Sequence, residues 1–78
     1  MELERGLVVK SIAGRDKGSF LTVISSTDDD CLLCDGKARP LSRPKRKKHK
    51  HLCKTRTVLS ESQLLNDAGI RKALREFA

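Results

Sequence analysis

Between positions 36 and 58 the chain has no acidic residue at all. It also has no Trp and no Tyr, and its only aromatic side chains are Phe20 and Phe77. A core built from it must therefore be packed with aliphatic residues, since aromatic rings normally supply the largest buried surfaces. No apolar run approaches the ~18–20 residues of a membrane-spanning helix. The charged start, Met-Glu-Leu-Glu-Arg-Gly, is followed by no signal-peptide core, so a cytoplasmic chain is expected. Three cysteines, Cys31, Cys34 and Cys53, are an odd number, which argues against a disulfide framework and for free thiols in a reducing compartment. With 78 residues there is room for one domain, burying only about 60% of its unfolded surface. A chain this small is expected to have little space for a substrate pocket of ~300 Å³ or more, which counts against an enzyme.

What the acid-free interval does hold is positive charge. Ten of the 17 Lys and Arg lie in it, and all 10 Asp and Glu lie outside it. The net charge of +7 is thus a dense basic field set against a slightly acidic remainder. Such a field on a small domain points to a polyphosphate partner. The strip of Arg43, Lys45, Arg46, Lys47, Lys48 and Lys50, preceded by Arg39, is the candidate phosphate-binding surface. Contacts of Lys and Arg to phosphate position a protein without reading bases, so recognition is expected to rest on the shape of a folded nucleic acid. The alternatives are a solvated charge run with no ligand, or a nuclear import address at Pro44-Lys45-Arg46-Lys47-Lys48.

Residues 6–13 and 19–25 are apolar and rich in β-branched side chains, and residues 31–35 form a shorter run; all three read as strands. Gly14 and Gly18 bracket a tight turn, residues 26–30 form a polar hairpin turn, and Asp35-Gly36 closes the third strand. Two prolines and adjacent like charges predict an extended loop over residues 37–48, with no regular element. Residues 49–56 can alternate as a fourth strand, with Leu52 and Cys53 on opposite faces. Ile70, Ala73, Leu74 and Phe77 recur at helical spacing, with Asn66 or Asp67 as N-cap. Ser60 with Gln63 resembles a capping box for a separate turn over 61–65. Two short pieces are favoured over one continuous helix through Gly69. The expected architecture is mainly β: a small antiparallel barrel over residues 1–58, including the basic segment 37–56, and a helical appendage over 59–78 packed on it.

The residues that carry a family resemblance are Gly6-Leu7-Val8-Val9, then Gly14-Arg15-Asp16-Lys17-Gly18, the apolar run Phe20 to Ile24, and Asp35-Gly36-Lys37. Together they resemble the KOW motif. With Pro40, the Arg43-Pro44-Lys45-Arg46-Lys47-Lys48 stretch and His51-Leu52, they are most similar to the small bacterial relatives of the eukaryote-type large-subunit ribosomal protein family called fourteen-e. The resemblance covers residues 6–52. It implies an SH3-like barrel and binding to ribosomal RNA, with ribosomal proteins as further neighbours. It also makes Arg15, Lys17 and Lys37 candidate RNA contacts, and Gly14, Gly18 and Gly36 structural turn positions. The eukaryotic relatives have a longer C-terminal part, so nothing transfers to residues 61–78.

Other constellations are weaker. Cys31-x-x-Cys34 with His49, His51 and Cys53 invites a zinc reading, but Leu32-Leu33 is no knuckle, and strand residues three apart point to opposite faces. Asp28, Asp29 and Asp30 are read as a solubilising turn facing away from RNA. No nucleophile–base–orienter set is apparent, so no catalytic residue, cofactor or metal is expected. Arg71, Lys72 and Arg75 lie off the apolar face of the last helix and can extend an RNA contact. The expectation is a monomeric RNA-binding module; a small zinc-binding or protein-adaptor module is the alternative.

Overall fold

Three apolar runs become the first three strands, β1 (Leu7–Ser11), β2 (Phe20–Ser26) and β3 (Asp30–Cys34). The structure is a computed structural model that describes residues 3–77; residues 1–2 and 78, the ends of the two expected segments, lie outside the described residues. β1 and β2 pair antiparallel with Val9 opposite Leu21, and β2 and β3 with Val23 opposite Leu33. The five-stranded sheet has the order β4-β3-β2-β1-β5.

The basic segment departs from expectation. Residues 45–48 are not loop but a strand, β4 (Lys45–Lys48), antiparallel to β3 with Lys47 opposite Cys31 and Lys48 opposite Asp30. The unpaired edge of β3 offers a row of backbone donors and acceptors. Two carboxylates, Asp16 and Asp30, lie beside Lys47 and Arg46 and offset the repulsion that argued for a loop. The later strand starts further along than expected. Residues His49–His51 form one 3-10 turn, and β5 runs Leu52–Val58 with Leu52 buried and Cys53 exposed.

β4 and β5 are the two edges of the sheet, yet only that three-residue turn joins them. In a flat sheet four interstrand steps of ~4.8 Å would separate them by about 19 Å. Three residues of 3-10 helix rise only about 6 Å. The sheet therefore curls strongly, although β4 and β5 do not pair and the barrel is not closed. Register shifts between Val23 and Ser25 in β2, and at Leu7/Val9 where β1 meets β5, add to the twist.

Both faces of the sheet are buried, which explains the continuous apolar runs of β1 and β2. Strand alternation sends Leu7, Val9, Leu21, Val23, Cys31 and Leu33 to the inner face with Leu52. Val8 and Cys34 go to the outer face, where Leu59, Leu64, Ile70 and Leu74 cover them. Burying Ile70 and Leu74 contributes about 1.5–3 kcal/mol each. They lie on α1 (Asp67–Leu74), whose N-cap is Asn66: its side chain accepts from the Gly69 amide at 2.8 Å. A further 3-10 turn, Arg75–Phe77, brings Phe77 to 5.4 Å from the Phe20 ring. The capping box forms as the spacing implies: Gln63 Oε1 accepts from the Ser60 amide, and Ser60 Oγ from the Gln63 amide. The C-terminal segment is thus two pieces, and a Cβ on Gly69 would meet Gln63 O at 2.6 Å.

Candidate nucleic-acid interface

The basic strand is two-sided, because consecutive residues of a strand point to opposite faces. Arg46 and Lys48 are exposed, Lys45 is half-buried, and Lys47 is buried. The side chain of Lys47 is only 8% exposed. Its ammonium donates to Asp16 Oδ1 at 2.5 Å and to the Ala13 carbonyl at 2.6 Å. Ser11 Oγ lies 2.8 Å from the same carboxylate oxygen. Asp16 Oδ2 is buried without a partner. Burial alone would push the Asp16 carboxyl up, but the bonds from Lys47 and Ser11 outweigh it and hold the group below its ordinary range. Lys47 must therefore be withdrawn from the phosphate-binding set: its charge is spent inside the fold.

The Lys47–Asp16 pair has a positional consequence. Asp16 is the middle residue of the β1–β2 turn, so the pair fastens that turn to β4. The neighbours of Asp16, Arg15 and Lys17, are exposed beside the strand. The turn itself rests on Gly14 and Gly18, with φ of +84° and +93°. The turn bearing Arg15 and Lys17 is thus fastened on the side of β4 to which Lys47 points, opposite the face of Arg46 and Lys48, although the clasping pair lies 31 positions apart in sequence.

Lys37 and Arg39 are exposed on the β3–β4 connection. Asp35 Oδ1 accepts from both their amides, at 2.8 and 2.9 Å, which fixes the loop. Gly36 is needed here for space as well as for its φ of +79°: a Cβ would lie 2.5 Å from Asp67 O and 2.8 Å from Arg71 Cγ. The Arg71 guanidinium donates to the Gly36 carbonyl at 2.6 Å. Arg43 is exposed after a turn closed by its amide onto Pro40 O, and Lys50 is exposed on the 3-10 turn.

The acidic turn does not face away from the basic strip. Asp29 O accepts from the His49 amide, and Asp30 Oδ2 lies 3.6 Å from Arg46 Nη1. The reason is topological: the β2–β3 hairpin must end beside β4, because β3 pairs with it. His49 is held by Ser26 Oγ at 3.0 Å and Asp30 O at 3.1 Å, so its ring is already engaged.

Cys31 and Cys34 point to opposite faces, into the inner and outer clusters. Burial, with Asp30 near the first and Asp67 and Asp35 near the second, pushes each thiol up to about 11. Cys53 is exposed on β5. Among the described residues no three His, Cys, Asp or Glu converge as a metal site, and no helix is long and apolar enough to cross a membrane.

A depression of about 490 Å³ opens between the β1–β2 turn, the Asp35–Lys37 loop and the C-terminal segment. Lys37, Arg71 and Arg75 stand around it, with Phe20, Leu74 and Phe77 as its apolar lining. The cationic face of the last helix was legible from its periodicity; its meeting with Lys37 and both aromatic rings was not.

No protein-family model matches this chain, and no curated protein is significantly similar to it.

Proposed function

We propose that this chain is an RNA-binding module of the SH3-like KOW type, docking on large-subunit ribosomal RNA as a ribosomal or ribosome-associated protein of the cytoplasm. The observation that carries this reading is the basic strand itself: Arg46 and Lys48 stand exposed on one face of β4, while the Lys47–Asp16 clasp on the other face fastens it to the turn that carries the exposed Arg15 and Lys17. The strongly curled five-strand sheet, with a 3-10 turn before its last strand and positive-φ glycines in its first turn, supports the SH3-like part. The binding mechanism is electrostatic. Each phosphate neutralised releases condensed counterions, so affinity falls steeply with salt. Arg43 and Lys50 extend the surface at either end of β4, and Lys37 with Arg39 adds a second basic loop. Specificity comes from the shape of a folded RNA, because cation–phosphate contacts carry no base information.

Fractionation of cell lysate on sucrose gradients tests the reading. The chain is expected to co-migrate with large ribosomal subunits at low salt and to leave them at high salt. Sedimentation with free protein at both salt concentrations would overturn it.

A further inference from the structure

We infer that the depression between the β1–β2 turn and the C-terminal helix is a second RNA contact that holds one unpaired nucleotide. The inference rests on the RNA-binding reading and adds a class of contact that the basic strand lacks.

Three observations converge there. Cations from two distant parts of the chain, Lys37 on the β3–β4 loop and Arg71 and Arg75 at the C-terminus, stand around one concavity. Among the described residues its lining holds one carboxylate, Asp35, against the three cations, so the formal charge there is positive. Both aromatic residues of the chain, Phe20 and Phe77, line the same space with their rings 5.4 Å apart. Lys10, outside the lining of the depression, sits 5.7 Å from the Phe20 ring centre.

An anion alone would need the cations but not the rings. An apolar ligand would need the rings but not the cations. A nucleotide uses both, with its phosphate on the arginines and its base against an aromatic or guanidinium plane. A paired base cannot enter such a site, so the nucleotide must come from a bulge, loop or strand end. Arg71 keeps its position through its bond to the Gly36 carbonyl, and its remaining donors stay free for phosphate.

The test compares a 12-base-pair RNA duplex with the same duplex carrying one unpaired adenosine. The wild-type protein is expected to prefer the bulged RNA by roughly tenfold, the lower part of what base–aromatic stacking gives. Phe77→Leu keeps apolar bulk but removes the ring, and Lys37→Ala with Arg75→Ala removes two exposed cations. Each variant is expected to lose the preference; Phe77→Leu should keep plain-duplex binding, and the cation pair, whose Lys37 also belongs to the basic surface, should lower it for both RNAs alike. The Lys37/Arg75 pair keeps the test decisive if Phe77→Leu fails to fold. Equal wild-type binding to both RNAs, or a preference that persists in the variants, would overturn the inference and leave the RNA-binding reading standing. Binding of neither RNA would overturn both. If a poly-glutamate peptide shifts the Phe77 ring resonances and the bulged RNA does not, the site takes an acidic protein segment and the inference fails.

Discussion

The ammonium of Lys47 and the carboxylate of Asp16 meet at 2.5 Å, joining the middle of a basic strand to the middle of a glycine-flanked turn. Lys47 has a side chain 8% exposed and Asp16 25%, so the pair is largely out of water. Removing one partner leaves the other charge buried, which costs more than a surface pair returns. Lys47→Ala is expected to lower the unfolding free energy by about 3 kcal/mol, the low end for a broken buried pair. Urea unfolding measures it. Lys47→Met with Asp16→Asn should recover much of the loss, because no uncompensated charge remains. A Lys47→Ala protein as stable as wild type would show that the pair is not structural.

The same pair predicts an acid limb. The folded-state value of Asp16 is depressed, so its contribution is fully present above the unfolded value of about 3.9 and is lost as pH falls through the lower folded value. In that window the unfolded state binds more protons, and stability rises with pH. Thermal melts from pH 2 to 7 are expected to show this limb in wild type and a reduced one in Asp16→Asn. Glu61 is also held low by Arg5, but in open solvent, so Glu61→Gln should change the limb much less. Equal limbs in Asp16→Asn and wild type would contradict the assignment.

Two glycines with similar backbone angles should respond differently to a methyl group. Gly18 has φ +93° and nothing within 4 Å of a built Cβ, so Gly18→Ala costs only conformational strain of about 1–2 kcal/mol. Gly36→Ala adds a collision with the Asp67 carbonyl at 2.5 Å and should cost about 1–3 kcal/mol more. Melting temperatures of the two variants decide it; a Gly18→Ala variant equally or less stable would contradict the docking of the loop on α1.

Thiol labelling separates the cysteines. At pH 8 Cys31 and Cys34 are buried and protonated, whereas Cys53 is exposed on β5. Native protein is expected to react at one thiol and urea-unfolded protein at all three. Rapid labelling of Cys31 or Cys34 in the native state would contradict the two-faced core.

Much of this fold was legible from local pattern. β-branched runs marked β1 and β2, flanking glycines marked the turn, and the spacing of Ile70, Leu74 and Phe77 marked the C-terminal face. The alternation of Leu52 and Cys53 was also readable. What failed was long-range. Lys45 to Lys48 look like mutually repelling cations when taken alone, and only Asp16 and Asp30, brought close by the sheet order, make a strand there tolerable. The signal that could have exposed Lys47 is its place in a four-residue alternation opposite a buried Cys31. Asp28 and Asp29 were placed on the wrong side because charge sign says nothing about which hairpin ends beside which strand. The depression joins residues 20, 37, 75 and 77, and no local pattern relates them.

The most direct measurement is the salt dependence of binding to a large-subunit ribosomal RNA fragment, comparing wild type with Arg46→Ala/Lys48→Ala. Both side chains are exposed, so the variant should melt as wild type does. Wild type is expected to bind in dilute buffer and to weaken steeply with salt. The variant's log–log slope should be shallower by about 1.4–1.8, the loss of two phosphate contacts. An unchanged slope in the folded variant, or no wild-type binding to structured RNA in dilute buffer, would contradict the account.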